Sequence, residues 1–343
     1  MKAQQLWFAE PYRVEIREQT LEPVPSGHVL VQTLYSAISP GTEMLVYRGQ
    51  LPGSLSLDAS IASLQQQGPG YPLQYGYASV GKVIEIGSQA DPALQGRLVF
   101  SFQPHASHYL VRPAELILVP DSVDPLAAVF LANMETAVNL VQDGSPGIGE
   151  RVVVLGQGVV GLMTSSLLAR FPLSALFAVE GLSTRNKMAG KLANQCFNPD
   201  SAPQMQALRS KLETPSEIGG ADLVFELSGR PEAINLAIEL CGYGSRIVVG
   251  SWYGSKRAEV NLGESFHRNR ISLVSSQVST VAPGLSGRWN KARRFNLAWD
   301  AIKRCQPEQF ITHKLPLADC EEAYALLDND PQQAVQVVFE YEN

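Results

Sequence analysis

Three glycines at G-x-G-x-x-G spacing carry the clearest chemical signal in the chain, within the segment V-L-G-Q-G-V-V-G. In this pattern one glycine makes a tight turn, one lets the backbone approach a pyrophosphate, and one allows a helix to pack closely on a strand. The helix that follows presents amide donors and its positive dipole end to the phosphates. An apolar run, R-V-V-V-L, precedes the glycines, and a helical pattern follows them, which is the context that the motif requires. The residues predicted to bind a dinucleotide are Gly156, Gly158, Val159, Val160 and Gly161.

An acidic residue at the end of the next predicted strand bears on which dinucleotide is bound. Glu180 lies 24 residues after Gly156, where a carboxylate accepts hydrogen bonds from ribose hydroxyls and repels a 2′-phosphate. This position favours NAD. Arg185 follows closely and could pair with a 2′-phosphate instead, so NADP stays open. The structural alternatives are a ligand-free turn for the glycines and an exposed charge at a strand end for Glu180.

Small residues end two later predicted strands. Ser228 lies in L-S-G and Gly250 in V-G-S. The carboxyl ends of parallel strands face one crevice, where small side chains leave room for a nicotinamide ribose. We therefore expect Ser228 and Gly250 in the cofactor site, with ordinary turn residues as the alternative.

The composition excludes several classes of function. The 343 residues are 45% hydrophobic and 17% charged, which predicts about two globular domains. A net charge of -6 argues against a nucleic-acid partner, because such binding needs clustered Lys and Arg. The densest basic stretch, 288–294, is expected to be the solvated face of a helix. Four cysteines without C-x-x-C spacing indicate neither a disulfide framework nor a thiolate zinc site.

No apolar run of about 18 residues is present, and the N-terminus has no signal-like segment. We expect a cytoplasmic protein that acts on a small molecule, without a membrane partner.

The pattern of strands and helices changes along the chain. Residues 1 to about 120 contain short alternating strands broken by Gly and Pro, which predicts a barrel-like β region. From about Pro125 apolar strands alternate with helices, which indicates βαβ units and a parallel sheet. The last apolar strand, A-V-Q-V-V-F-E-Y, could return to the β region.

Four segments in this order resemble the medium-chain dehydrogenase/reductase superfamily over essentially the whole chain: S-A-I-S-P-G-T-E, Y-P-L-Q-Y-G-Y-A-S-V-G-K-V, N-M-E-T-A-V and V-L-G-Q-G-V-V-G. The resemblance implies an α/β protein in which a GroES-like β-barrel catalytic domain (1–130) precedes a Rossmann domain with a doubly wound parallel sheet (131–278). Residues 279–343 would return to the catalytic domain. It also implies a homodimer.

The residues that match the zinc ligands of metal-bearing members are not metal ligands here. Those positions hold Ser39 (or Pro40, depending on a one-residue gap), Tyr77 with Ala78, and Ala132, whereas zinc takes thiolate, imidazole or carboxylate groups. The four-cysteine lobe of members with a structural zinc is also absent. The chain is therefore expected to lack a metal, and hydrogen-bond donors would take over the polarising role of zinc.

The resemblance also implies roles for individual residues. Thr42 matches the hydroxyl of the family's proton relay, and the Tyr77 phenol would donate to a substrate oxygen. Glu43 matches the family's loop acid and is expected to orient the catalytic loop through hydrogen bonds rather than to transfer protons. Thr136 matches the residue that contacts the nicotinamide ring. Structural roles remain the alternatives: a turn cap for Thr42, packing for Tyr77, helix capping for Asn133 and Glu135, and a surface or core histidine for His105. The predicted substrate residues are Ser39, Tyr47, Asn133, Glu135 and His105.

Three functions fit these residues. The first is a zinc-independent NAD(P)-dependent oxidoreductase acting on an alcohol or ketone. Within the superfamily the segments are most similar to the subgroup of the bacteriochlorophyllide a dehydrogenases, which together with the long segment 51–70 suggests a bulky ring substrate. The second is an enoyl or quinone reductase that uses NADPH. The third is a non-catalytic dinucleotide-binding sensor.

Overall fold

Two units make up the chain in the structure, a computed structural model that describes residues 1–52, 61–65, 70–213 and 219–342. The first unit is Met1–Ala132 with Ile302–Asn343, and the second is Asn133–Ala301. Residues 279–301, which the sequence assigned to the C-terminal return, therefore lie in the second unit. The reason is a set of buried ionic contacts between this segment and a helix of the second unit, described below.

The strands are short, as the Gly and Pro breaks predicted. They are β1 (Lys2–Glu10), β2 (Arg13–Thr20), β3 (Val29–Ala37), β4 (Ser79–Ile86), β5 (Leu98–Ser101), β6 (His108–Val111), β7 (Leu116–Leu118), β8 (Arg151–Leu155), β9 (Ala175–Val179), β10 (Gln195–Phe197), β11 (Ala221–Glu226), β12 (Cys241–Val249), β13 (Ser272–Ser275), β14 (Ile311–Pro316) and β15 (Gln336–Glu340).

The helices are concentrated after residue 124. They are α1 (Thr42–Tyr47), α2 (Ala62–Gln65), α3 (Pro125–Ala128), α4 (Leu131–Gly144), α5 (Val159–Leu168), α6 (Ser183–Ala189), α7 (Ala202–Leu212), α8 (Ala233–Leu240), α9 (Ser265–Arg268), α10 (Lys291–Cys305) and α11 (Cys320–Asn329). Among the described residues no helix is long and apolar enough to cross a membrane.

The first unit is built on a seven-stranded sheet in the order β14-β15-β3-β4-β5-β7, with β6 also paired to β3. The predicted return of the last strand is confirmed, since β15 runs antiparallel to β3 with Val338 opposite Ala37. The pairing brings the C-terminal strand to the strand that leads into the S-A-I-S-P-G-T-E segment. Two buried apolar clusters pack on this sheet.

A separate hairpin, β1 with β2, was not among the predicted strands. The apolar side chains of Leu6, Phe8 and Val14 in this hairpin are buried, but most other positions carry Gln, Glu or Arg. The alternation is therefore weak in the sequence, and packing against α11 and the rest of the apolar core decides the conformation.

The second unit contains a six-stranded sheet in the order β10-β9-β8-β11-β12-β13, in which every neighbouring pair is parallel. The strands β8, β9 and β11 are largely apolar and buried on both faces, as expected where helices cover a parallel sheet. The chain order reverses between β8 and β11, and ligands of such sheets bind outside the carboxyl ends of the strands at this point. The predicted α/β class and parallel sheet are confirmed.

The segment 51–70, which suggested a large substrate, lies mostly outside the described residues. Within it the structure describes 51–52, 61–65 and Gly70, and places the short helix α2 at 62–65. The substrate-size argument therefore stays a prediction.

Candidate functional site

The first glycine of the G-x-G-x-x-G motif makes a turn that no other residue would fit. Gly156 follows β8 with φ +87°, and a Cβ there would lie 2.6–2.7 Å from backbone atoms of Leu227 and Ser228. Its N–H donates to the carbonyl of Val179 at 2.8 Å. A Cβ on Gly161 would lie 2.1 Å from the Gly156 carbonyl oxygen. The tight turn and the close helix–strand packing that the motif implies are both present.

The N-terminus of α5 is open toward an anion. The helix begins at Val159 directly after Gly158, and no side chain caps its first amides. Val159 is buried and Val160 half-buried, so the two valines pack the first turn while their backbone amides stay at the helix end. Helix N-terminal amides left without a protein partner are a ready binding site for phosphate oxygens.

Glu180 is buried and holds the glycine turn rather than lying exposed. It follows β9, its Oε2 accepts the N–H of Gln157 at 2.8 Å, and its Oε1 accepts the N–H of Leu182 at 2.8 Å. A carboxylate oxygen accepts up to two hydrogen bonds. Each oxygen therefore keeps capacity for a ribose hydroxyl.

Arg185 places a cation beside the same turn. Its Nη1 lies 3.9 Å from the position that a Cβ on Gly158 would take. Burial lowers the pKa of the guanidinium, and the nearby charge of Glu180 opposes that shift. The Arg185 guanidinium is thus a candidate partner for a phosphate group at this turn.

The ends of β11 and β12 meet around a buried carboxylate that the sequence analysis did not single out. Glu226 Oε1 accepts the N–H of Ser228 at 2.8 Å and also its hydroxyl, and Oε2 accepts the Tyr253 hydroxyl at 2.5 Å. Burial and the hydrogen bond to Glu226 raise the pKa of Tyr253. A Cβ on Gly250 would lie 2.5–2.6 Å from Leu side chains, so a larger residue cannot replace it without a shift. The acid within F-E-L-S-G was a visible signal for Glu226, whereas nothing in the sequence marked Tyr253.

In the first unit, three hydroxyls come together where α1 begins. The Tyr77 hydroxyl donates to Ser39 Oγ at 2.5 Å and lies 3.4 Å from Thr42 Oγ1. Tyr77 and Thr42 are half-buried, and Ser39 is buried at 8% exposure. The sequence predicted that Tyr77 would join the S-A-I-S-P-G-T-E segment, and the structure places these three side chains in one cluster.

Glu43 is completely buried, so it positions this segment and does not reach a substrate. Its Oε1 accepts the N–H of Ser39 at 2.8 Å, and its Oε2 accepts from His105 Nε2 at 2.9 Å and from the Tyr324 hydroxyl at 2.5 Å. Burial first, and then the charge of Glu43, raise the pKa of Tyr324. The carboxylate fixes the backbone that carries the Ser39 hydroxyl. These bonds suit the loop-orienting role expected for Glu43.

His105 is also interior, which corrects its prediction as a substrate residue. Its Nδ1 contacts Ser36 Oγ at 2.7 Å, and that oxygen lies 2.8 Å from the Tyr341 hydroxyl. Ser36, His105 and Glu43 superficially resemble a hydrolase triad, but none of the three side chains is accessible to solvent. The order of ring nitrogens is also the reverse of that triad, in which the serine bonds Nε2. This network is structural.

Tyr47 is a core residue and not a substrate contact. Its ring stacks on Tyr324 with centroids 5.4 Å apart and meets Tyr12 edge-on at 5.6 Å. Its hydroxyphenyl ring is used in packing α1 against α11. The prediction for Tyr47 was therefore wrong.

On α4, Glu135 pairs with two cations, and its expected contact with a substrate or cofactor stays a prediction. Its Oε1 lies 2.7 Å from Lys291 Nζ and 2.9 Å from Arg294 Nη2. Arg294 is fully buried, so the basic stretch 288–294 is not simply a solvated face: the pairing with Glu135 offsets the cost of burying it. Asn133 is buried beside this pair in the helix, and Thr136 is half-buried.

Comparisons with known proteins agree with this geometry. No family model matches the chain. A D-guloside 3-dehydrogenase of Escherichia coli K12 is 25% identical over 274 residues, covering 77% of this chain and 76% of that protein. An L-threonine 3-dehydrogenase of Caldanaerobacter subterraneus is 24% identical over 295 residues, covering 75% and 79%. A short chain alcohol dehydrogenase of Escherichia coli CFT073, solved with NADH, has the same fold with a TM-score of 0.79, 18% identity and 99% of each chain covered.

The chain is similar in sequence to dehydrogenases of the zinc-type alcohol dehydrogenase kind, which supports the resemblance to the medium-chain dehydrogenase/reductase superfamily. Its GroES-like and Rossmann domains are those of alcohol dehydrogenase-like structures.

Zinc, which metal-bearing members of the superfamily hold, does not fit the residues at the matching positions. They offer the hydroxyls of Ser39 and Tyr77, which bond to each other, and the methyl groups of Ala78 and Ala132. Zinc ligands are thiolate, imidazole or carboxylate. Across 1–52, 61–65, 70–213 and 219–342, no three His, Cys, Asp or Glu side chains are grouped to hold a metal ion.

Proposed function

We propose that the protein is an NAD(P)-dependent oxidoreductase that transfers a hydride between the nicotinamide and an alcohol or ketone without a metal. The observation that carries the proposal is the Gly156 turn beside the uncapped N-terminus of α5, with Glu180 fixing the loop. This arrangement suits a pyrophosphate next to a ribose.

The residues of the second unit fit a dinucleotide. The amides at Gly158 and Val159 would bind the pyrophosphate, Glu180 the adenosine ribose, and Arg185 a phosphate oxygen. Ser228 and Gly250 would leave room for the nicotinamide ribose. The bound nicotinamide would supply the hydride acceptor or donor. The carboxylate of Glu180 supports NAD, and Arg185 keeps NADP as the alternative.

The hydroxyl cluster of the first unit supports the handling of the substrate oxygen. In ketone reduction the carbonyl carbon gains a hydride while its oxygen gains a proton, and in alcohol oxidation both leave. The Tyr77 phenol would donate a hydrogen bond to that oxygen, and Thr42 would pass the proton between Tyr77 and solvent. One such donor contributes about 10²–10³-fold in kcat.

The names of the curated relatives suggest a class of substrate. The names of the two curated relatives describe the oxidation of a guloside and of threonine. We infer a hydroxyl group on a polar carbon chain or ring as the reacting group. The bulky ring substrate and the bacteriochlorophyllide subgroup stay predictions, as do a cytoplasmic location and a homodimer.

Turnover with a panel of substrates tests the proposal. Each reaction would be followed by the absorbance of the nicotinamide. The panel contains secondary alcohols and polyols with NAD, enones and quinones with NADPH, and a hydroxyethyl tetrapyrrole. The proposal expects turnover with alcohols. Turnover confined to enones or quinones would favour the reductase, and tight binding without turnover would favour a sensor.

A further inference from the structure

The second unit contains a buried polar network to which the proposed chemistry assigns no role. Arg294 of α10 has no solvent exposure, and all of its guanidinium N–H groups have protein acceptors. Nε donates to Glu135 Oε1 at 3.0 Å, and Nη1 donates to Asn139 Oδ1 at 2.5 Å and to the Thr280 carbonyl at 3.0 Å. Nη2 donates to the Val278 carbonyl and lies 2.9 Å from Glu135 Oε1. The five N–H donors of an arginine thus each have an acceptor.

The network continues along one face of α4. Glu135, Asn139 and Asp143 are four residues apart, so they share a face of the helix. Asn139 Nδ2 donates to Asp143 Oδ2 and to Ser276 Oγ, both at 2.9 Å. The Ser276 hydroxyl donates to Asp143 Oδ2 at 2.6 Å. The segment 276–280 is therefore bonded to α4 directly at Ser276, and through Arg294 at the carbonyls of Val278 and Thr280.

This segment lies at the carboxyl edge of the parallel sheet. Ser276 is the first residue after β13, and its N–H donates to the Val249 carbonyl at the end of β12 at 2.9 Å. Along the same edge, the ends of β9, β8, β11 and β12 carry Glu180, the glycine turn, Ser228 and Gly250. A dinucleotide with its adenosine at β9 and its pyrophosphate at β8 must direct its nicotinamide toward β12 and β13.

The network is more suited to positioning than to stability. A buried ion pair gains little net stability over an apolar pair of similar volume, because both charges lose their hydration. The guanidinium of Arg294 instead fixes the position of the segment, because it holds two backbone carbonyls of 276–280 relative to Glu135. Thr136, the expected nicotinamide contact, is the residue after Glu135.

We propose that Glu135 and Arg294 are positioning residues for the nicotinamide end of the cofactor, acting through the segment 276–280 and through Thr136. The inference rests on the proposed dinucleotide site. It requires that loss of the network weakens contacts of the nicotinamide half and leaves those of the ADP-ribose half intact.

The test compares binding of NADH with binding of ADP-ribose, which lacks the nicotinamide. If the wild type prefers NADPH, the probes are NADPH and 2′-phospho-ADP-ribose. Glu135→Gln keeps the shape of the side chain and removes its charge. Ser276→Ala keeps the ion pair and detaches the residue that follows β13, so it serves if Glu135→Gln fails to fold.

The matched control is Glu150→Gln. Glu150 makes a bidentate pair with Arg246 at 2.7 and 2.9 Å in the same unit, and it directly precedes β8, at the amino end of that strand. It is therefore a comparable ion pair at the edge of the sheet that does not bind the cofactor.

The expected result is a loss of about tenfold or more in NADH affinity for Glu135→Gln, a smaller loss in the same direction for Ser276→Ala, and ADP-ribose affinity within about twofold of the wild type. The kcat with a working substrate should fall more than the KM for that substrate rises. Equal weakening of both ligands, no weakening of either, or the same pattern in Glu150→Gln would overturn the inference. A wild type that binds neither ligand would instead refute the proposed function.

Discussion

The phenol of Tyr77 donates a hydrogen bond to the hydroxyl of Ser39 at 2.5 Å. The resemblance to metal-bearing members matches these two residues with zinc-ligand positions, and both side chains here are hydroxyls. A phenol bonded in this way is a donor with a fixed direction, and it can move from Ser39 to a substrate oxygen at the cost of one exchanged hydrogen bond.

Removal of the Tyr77 hydroxyl should impair catalysis without affecting cofactor binding. We expect Tyr77→Phe to lower kcat about 10²–10³-fold, because it deletes one donor to the reacting oxygen. The control is Tyr35→Phe, which deletes a hydroxyl bonded to Glu340 at 3.4 Å in the same unit and should leave kcat unchanged. Steady-state kinetics together with NADH titration check this prediction. Equal activity of Tyr77→Phe and the wild type would remove Tyr77 from the mechanism.

The turn at Gly156 should tolerate no side chain. Gly156→Ala combines a left-handed backbone with a Cβ placed 2.6 Å from Ser228 Cα, so we expect a loss of about 2–4 kcal/mol in unfolding free energy and no NADH binding.

The matched control for that turn is Gly149→Ala. Gly149 also has a left-handed φ of +81°, but its Cβ would meet nothing within 4 Å. It should lose about 1 kcal/mol and keep NADH affinity. Urea denaturation and fluorescence titration measure both quantities. Normal NADH affinity in Gly156→Ala would contradict the assignment of the binding site.

Arg185 should contribute to any NADPH affinity that the protein has. Because Glu180 disfavours a 2′-phosphate, the wild type should bind NADH more tightly than NADPH. Arg185→Ala should weaken NADPH by about tenfold and NADH by less, through loss of one charge-assisted contact. Parallel titrations of the two cofactors decide the matter. Tighter binding of NADPH than of NADH by the wild type would contradict the prediction that Glu180 disfavours a 2′-phosphate.

The buried carboxylate of Glu43 should matter for stability more than for binding. In Glu43→Gln an amide nitrogen replaces one acceptor oxygen, and the donors from Ser39, His105 and Tyr324 cannot all be satisfied. We expect a loss of about 2–4 kcal/mol in unfolding free energy. Glu18→Gln, at an exposed pair with Lys2, should leave it essentially unchanged, because solvent screens the two charges. Denaturant unfolding checks both; similar effects of the two substitutions would contradict the network.

The pair between Glu150 and Arg246 should make stability depend on pH. Burial alone raises the pKa of Glu150, but the hydrogen bonds from Arg246 and from the Gly147 N–H, with the charge of Arg246, outweigh it, so the pKa is lowered below 4.5. A lowered native pKa means that the carboxylate contributes stability above pH 4.5 and loses it as the pH falls through the native value.

The difference in unfolding free energy between the wild type and Glu150→Gln should therefore be about 1 kcal/mol at pH 7 and shrink toward pH 3. Urea denaturation at a series of pH values measures it. A difference that grows on acidification would contradict the assigned shift.

Local pattern was enough for the sheet and the glycine turn, but not for contacts between distant residues. The run R-V-V-V-L and the glycines after it are contiguous, so strand, turn and helix were all visible in the sequence. By contrast, Arg294 and Glu135 are 159 residues apart. The basic stretch 288–294 has the composition of an exposed helix face, so the burial of Arg294 could not be predicted from it. His105 and Glu43 likewise meet across 62 residues, and no local pattern marks their contact.

Catalysis without a metal is tested most directly by measuring zinc content and turnover on the same sample. The protein would be dialysed against a chelator, analysed for metals, and assayed with NAD and the best alcohol of the panel. The account predicts substoichiometric zinc and undiminished NADH formation. A full equivalent of zinc in the active protein, with activity lost on chelation and restored by added zinc, would contradict it.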